Sequence, residues 1–307
     1  MLKVKDLLRK FLYAFAGNAN YILYGNELFT KKKILVKNDR IHFIKRMSLL
    51  PIEVDSKYLG DEEFYLLLIH TDNIAHFFHD VFFPFYRQWR KNKKRVCVSI
   101  MGDSFQREFL ESLIDSKDLI FLDYDKAYSF SRLIATPEGR DLQIYPDYQE
   151  ICREIKAICF AKHGISEVRN KNLIYGRNEL SRKNLLNIDK EFLLTNHVEQ
   201  VFLSKLSFSD YLNTLASAQT FTYMVGAGVF NLIFLDDDVR VLEINPYRNN
   251  SWAQMFGLSK LCRFNAIVSN NLKESNAAAQ DELILDSHVY FDAEIANAIK
   301  KLISSNN

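Results

Sequence analysis

The chain has 307 residues, enough for one large domain or two of about 150. Its residues are 48% apolar and 25% charged, an ordinary globular balance with unusual richness in Phe and Tyr. A net charge of +2 argues against a nucleic-acid binder, and no apolar run reaches the ~18 to 20 residues of a membrane span.

At the N-terminus, Leu2, Leu7, Leu8, Phe11, Leu12 and Phe15 lie near one helical stripe, which Lys3, Lys5, Arg9 and Lys10 mostly avoid. Asp6, Arg9 and Lys10 interrupt the apolar core that a signal peptide needs. The segment reads either as a basic amphipathic helix for an anionic membrane surface or as a first helix packed on the protein body. Residues 20–69 read as short strands and turns, with Phe64 to Ile69 a buried strand. Ile74 to Arg90 follows, with Asn73 as N-cap and Pro84 as a kink. Then come a strand over 95–100, a helix over 105–113, and strands over 119–122 and 128–135. Tyr148 to His163 is a long helix, and the polar stretch 164–172 looks like a domain junction. Short strands and helices then lead to Ser207, and Asp292 to Ile303 is a final amphipathic helix. Strands alternating with helices indicate parallel α/β sheets, in two halves joined near residue 165. The four cysteines, Cys97, Cys152, Cys159 and Cys262, form no C-x-x-C pair and read as free thiols of a reducing compartment.

The most informative stretch runs from Ser207 to Pro246. Ser207 with Asp210 makes a capping box for a helix. A strand over 220–225, the turn Gly226-Ala227-Gly228, a helix over 229–235 and a strand over 239–244 follow. A tight glycine turn between a buried strand and a helix brings backbone N–H groups and a positive helix end to one place, which favours a phosphate. Many strand–helix turns carry such glycines, so the turn alone is weak. Glu243, on the same rim, is suited to sugar or ribose hydroxyls, and its charge in an apolar strand demands a partner or a ligand.

In the first half His76, His79 and Asp80 share one helix face just after a buried strand. Ligand crevices open at the carboxyl ends of parallel strands, so these groups are placed either to deprotonate an acceptor hydroxyl or simply to cap and tie the helix. With His70 the spacing H-x5-H-x2-H matches no standard zinc signature, so no metal site is expected. Arg177 and Arg182 flank a loop after a strand and suit a pyrophosphate, although arginine pairs are more often merely exposed.

Together these segments resemble glycosyltransferase family 61. The first motif is Asn73-x-x-His76 with His79 and Asp80; the second is Leu173 to Arg177 with Arg182 and Asn184. The third is Ser207-Phe208, Gly226-Ala227-Gly228, Asn231, Phe234, Glu243 and Pro246, and the three in order cover about residues 64–265. One departure stands out: the family usually carries His before Gly-Ala-Gly, where this chain has Val225.

The resemblance implies an inverting glycosyltransferase with two Rossmann-like parallel-sheet domains facing a cleft, the GT-B architecture. Residues 1–165 would form the acceptor side, 166–285 the donor domain, and 286–307 a helix packing back on the first domain. Asp80, His76 and His79 would be catalytic; Arg177, Arg182, Gly226, Ala227, Gly228, Asn231 and Glu243 would bind the donor. The substrates would be a nucleotide sugar and a glycan or lipid-linked glycan, with no cofactor and no metal. The expected setting is cytoplasmic synthesis of capsule, lipopolysaccharide or another surface polysaccharide, with residues 1–16 as a possible membrane contact. The competing expectation is a catalytically weak or inactive binding or scaffold module, which the Val225 departure favours.

Overall fold

The computed structural model describes residues 21–24, 27–30, 35–37, 56–59, 62–69, 73–100, 104–122, 127–130, 132–135, 147–176, 184–246, 251–269 and 289–305. The chain divides into two compact units, Met1–Arg140 and Asp141–Asn307.

The strands of the first unit are β1 (Tyr21–Tyr24), β2 (Glu27–Thr30), β3 (Leu35–Lys37), β4 (Ser56–Tyr58), β5 (Glu63–Ile69), β6 (Val96–Ile100), β7 (Leu119–Leu122), β8 (Ala127–Phe130) and β9 (Arg132–Ala135). One sheet is mixed, in the order β3-β2-β1-β8-β4. The other, β7-β6-β5-β9, is parallel throughout. The strand expected over 128–135 is therefore two strands in two sheets, a change of partners that a continuous β-prone run cannot reveal. In the parallel sheet the chain winds outward from β5 through β6 and β7, then returns to add β9 on the other side of β5. That reversal makes β5/β9 the topological switch point, where the strand ends leave a crevice.

The helix after β5 is interrupted. α1 (Ile74–His76) is capped by Asn73, whose side chain accepts from Ala75 N–H. A π-helical turn, Phe77–Phe82, leads into α2 (Phe83–Trp89). Pro84 explains the widened turn: it has no N–H for the carbonyl of Asp80, and its ring would press on that carbonyl in a regular helix. Phe83 N–H instead reaches five residues back to Phe78 O. Phe77, Phe78, Phe82, Phe83, Phe85, Tyr86 and Trp89 are all buried, so nearly the whole helix surface is core. Phe109, from α3 (Ser104–Leu113), meets Phe82 at 4.7 Å and Phe78 at 5.1 Å between ring centroids, both edge-to-face. The narrow strip left open carries His76, His79 and Asp80.

The second unit opens with α4 (Tyr148–His163), which buries Ile151, Cys152, Ile155 and Cys159 at helical spacing. There follow β10 (Lys171–Tyr175), β11 (Leu185–Leu186), α5 (Lys190–Thr195), β12 (Val198–Val201), α6 (Phe208–Ala216), β13 (Ala218–Met224), β14 (Arg240–Asn245), α7 (Trp252–Met255), β15 (Arg263–Val268), β16 (Val289–Tyr290) and α8 (Ala293–Ser304). The main sheet runs β12-β10-β13-β14-β15, all parallel. This is the doubly wound 2-1-3-4-5 order, whose switch point is β10/β13.

By compactness the division falls at Arg140/Asp141, ahead of the long helix α4. The polar stretch after α4 is no linker, because its charges bind the second unit: Glu167 meets Lys156 at 2.6 Å and Arg169 meets Asp236 at 3.1 Å. The apolar stripe of the last helix is buried within the second unit. Ile295, Ile299 and Leu302 of α8 are buried with Ile174, Leu242 and Ile244 of the second sheet. Arg240 ties its end, donating to Leu302 O at 2.6 Å and Ile303 O at 3.2 Å, where a cation also complements the helix dipole. Among the described residues no helix is long and apolar enough to cross a membrane.

Candidate active site

In the first unit the polar strip stands just past the carboxyl end of β5, at the switch point. His76 Nδ1 is 2.8 Å from Asp80 Oδ2, and His79 Nδ1 is 2.6 Å from Asp80 Oδ1. One carboxylate thus lies between two imidazoles. Burial alone would raise the Asp80 pKa, but the hydrogen bonds and charges of His79 and His76 outweigh it and leave the carboxyl below its ordinary value. Asp80 is therefore ionised at neutral pH; it hydrogen-bonds His76 at Nδ1 and stands in ion-pair contact with His79. The side chains of His76, Asp80 and His79 are 59%, 27% and 16% exposed, so His76 is the more open of the two imidazoles. An imidazole held at Nδ1 by a carboxylate presents Nε2 as a proton acceptor. Among the described residues no group of three or more His, Cys, Asp or Glu side chains is arranged to hold a metal ion.

In the second unit the glycine turn follows β13 at the β10/β13 switch point. Gly226 has φ 145° and ψ −158°, a conformation essentially confined to glycine. A Cβ on Gly228 would stand 2.7 Å from Tyr175 Cε1, so the Tyr175 ring at the end of β10 lies directly against the turn. The segment after the turn, Ala227–Phe234, is a 3₁₀ helix where the sequence suggested an α-helix. Asn231 is buried within it, with Oδ1 accepting from the Tyr211 hydroxyl at 2.8 Å. Val225 is fully buried at the end of β13. Arg177 and Arg182 lie outside the described residues, as do residues 1–16 and His70.

Glu243 is placed differently from the sequence expectation. It is wholly buried, not on the rim. Tyr223, its register partner on β13, donates to Oε2 at 2.7 Å, and Ala253 N–H of α7 lies 3.4 Å from the same oxygen. The carboxylate thus braces α7 against the sheet. Burial raises its pKa, while Tyr223, Ser251 and the Ala253 N–H act the other way. The folded state then holds the proton more tightly than the unfolded chain. The corresponding stability is present below the ordinary value of 4.5 and is lost as pH rises through the folded pKa. Glu243→Gln keeps an acceptor for Tyr223 without the charge. It is expected to melt above the wild type at pH 8, with the gap closing toward pH 4. Thermal melts across that range check this; a gap that widens on acidification would contradict the brace.

The four cysteines are free thiols, and burial pushes Cys97 up to about 12, leaving it unreactive. Tyr211, Tyr175 and Tyr223 carry no functional signal in the sequence. Each is significant through a partner on another element, which spacing does not show.

None of the curated proteins matches this chain. Among solved structures it is similar to the dodecameric iron-containing heptosyltransferase TibC in complex with ADP-D-beta-D-heptose, at 12% identity and TM-score 0.42, over 92% of this chain and 90% of that one. It is also similar to the rubredoxin oxygen:oxidoreductase of Desulfovibrio gigas, at 10% identity and TM-score 0.24, over 94% of this chain and 67% of that one. Likenesses this distant carry no functional argument. A family model described as Glycosyltransferase 61 matches residues 74–242, more than half of the 307-residue chain. The match runs from the first residue of α1 into β14, so it takes in the His76–Asp80 strip and the β10/β13 switch point. The chain belongs to glycosyltransferase family 61.

Proposed function

We propose that this protein transfers a sugar, with inversion, from a nucleotide-sugar donor to a hydroxyl of a glycan acceptor. The observation that carries the reading is that each unit places its polar motif at the switch point of its own parallel sheet. In the first, Asp80 lies between the imidazoles of His76 and His79; in the second stand the glycine turn and Asn231.

In this reaction His76 Nε2 takes the proton of the acceptor hydroxyl. The oxygen forms a bond to the anomeric carbon from the face opposite the diphosphate. The bond from that carbon to the diphosphate oxygen breaks, and the nucleoside diphosphate leaves with its electron pair. Asp80 orients His76 and stabilises the imidazolium that forms. Arg177, Arg182 and the N–H groups of the glycine turn would receive the negative charge of the leaving group, a task that in other enzymes falls to a metal ion. The acceptor would bind on the first unit and the donor on the second. Capsule or lipopolysaccharide assembly at the inner face of the cytoplasmic membrane, with residues 1–16 as the contact, is the setting we assign.

One observation favours a second reading, a binding or scaffold module without turnover. Val225 fills the position of the family's His with a wholly buried apolar side chain, so no imidazole stands there. A panel of nucleotide sugars, read by released nucleoside diphosphate, decides between the two. The enzyme reading expects one donor to be turned over, and Arg177→Ala to lower that turnover by about 10²-fold or more at unchanged melting temperature. Binding of a donor without any release in the presence of glycan acceptors would favour the scaffold; release unaffected by Arg177→Ala would remove that arginine from the site.

A further inference from the structure

Asn231 presents a problem that its hydrogen bond does not solve. The side chain is only 3% exposed, yet Nδ2 has no hydrogen-bond partner. A buried donor left open costs about 1–3 kcal/mol, and buried polar groups are nearly always paired. The Tyr211 hydroxyl explains which end of the amide is left open. Tyr211, on α6, is itself 2% exposed and donates to Asn231 Oδ1 at 2.8 Å. That bond turns Nδ2 the other way, toward the opening of the 3₁₀ helix, where it stands 3.7 Å from the place a Cβ on Gly228 would occupy. The first bond within that helix is made by Val229 N–H to Gly226 O at 3.0 Å, so the N–H groups of Ala227 and Gly228 come before it. The open amide and the start of the helix converge beside the β10/β13 switch point.

We propose that Tyr211 is a positioning residue for this crevice. It orients the Asn231 carboxamide so that Nδ2 donates to a phosphate oxygen of a bound diphosphate. The inference rests on the donor reading given above and adds to it a residue two shells from the ligand and a named donor atom. Asn231 is the contact; Tyr211 acts only through it. Without the hydroxyl the amide is free to turn over and present Oδ1, an acceptor, to an anion.

The experiment is calorimetric titration of the full chain with inorganic pyrophosphate and with a set of nucleoside diphosphates, alongside melting temperatures without ligand. Tyr211→Phe keeps the whole ring and is expected to weaken pyrophosphate binding about five- to tenfold. It should raise the donor KM by a similar factor at nearly constant kcat, since the contact is made in ground state and transition state alike. Asn231→Asp, which faces the anion with a carboxylate, is expected to abolish the heat. Tyr211→Phe and Asn231→Asp that bind pyrophosphate like the wild type would overturn the inference while leaving the donor reading intact. A Tyr211→Phe that does not fold would make the pair purely structural. Wild-type protein that binds neither pyrophosphate nor any nucleoside diphosphate would remove the donor reading, and this inference with it.

Discussion

His76→Gln is expected to lower sugar transfer by about 10²–10⁴-fold, the usual contribution of a positioned general base. That corresponds to about 3–5 kcal/mol of barrier. The melting temperature should not change materially. His76 is the most exposed of the three groups, and removing it leaves Asp80 with His79 at 2.6 Å, so no buried charge is orphaned. Donor affinity should hold as well, because the assigned donor contacts all lie in the second unit. Asp80→Asn is expected to lower transfer too, since an amide can present its NH₂ to Nδ1 and turn the imidazole into the wrong tautomer. The measurement is released nucleoside diphosphate with and without acceptor, beside donor titration by calorimetry. Transfer within threefold of the wild type in His76→Gln would move the base elsewhere, with His79 the next to test. Loss of donor binding in the same variant would instead implicate His76 in the donor site.

Phe82→Ala is expected to cost about 3–5 kcal/mol, a large part of the stability of an ordinary domain. Phe82 is fully buried and touches rings on every side: Phe77 at 5.7 Å, Tyr86 at 5.3 Å and Phe109 at 4.7 Å between centroids. Removing it opens a cavity that rigid neighbouring rings fill poorly. Phe82 also closes the π-helical turn that carries His79 and Asp80, so activity should fall with stability. Phe82→Leu keeps most of the volume and should cost on the order of 1 kcal/mol. Urea unfolding followed by the fluorescence of Trp89, buried in the same cluster, reads both variants. A cost under 1 kcal/mol for Phe82→Ala would mean that α3 and its neighbours collapse into the gap, and that the turn does not depend on this ring.

Local signals were legible where one segment carries its own reason to fold. The helix over 148–163 has its observed limits in the sequence because six apolar residues recur at helical spacing. The caps at Asn73 and Ser207 are likewise readable, because a capping side chain reaches only two or three residues along the chain. The π-helical turn was legible only as a proline kink. A proline shows that a regular helix must yield, but the packed aromatic rings decide that it yields by widening.

Composition and periodicity by themselves determined an α/β protein with parallel sheets, though not the mixed sheet β3-β2-β1-β8-β4, and short motifs in a consistent order determined its family. Those properties depend on near neighbours in the chain and on residue type, which a sequence states directly. Only the tertiary structure decided the fate of the buried charges. Glu243 looks like a hydroxyl-binding rim residue until Tyr223 and Ala253 are seen to enclose it, and Arg240 looks like an interruption until α8 ends against it. It also decided that Asp80 lies between His76 and His79, and that Tyr211 turns the Asn231 amide toward the glycine turn. A hydrogen bond requires two groups within about 3 Å and a favourable angle. When the partners lie on different elements, that geometry follows from packing and cannot be read from either segment alone.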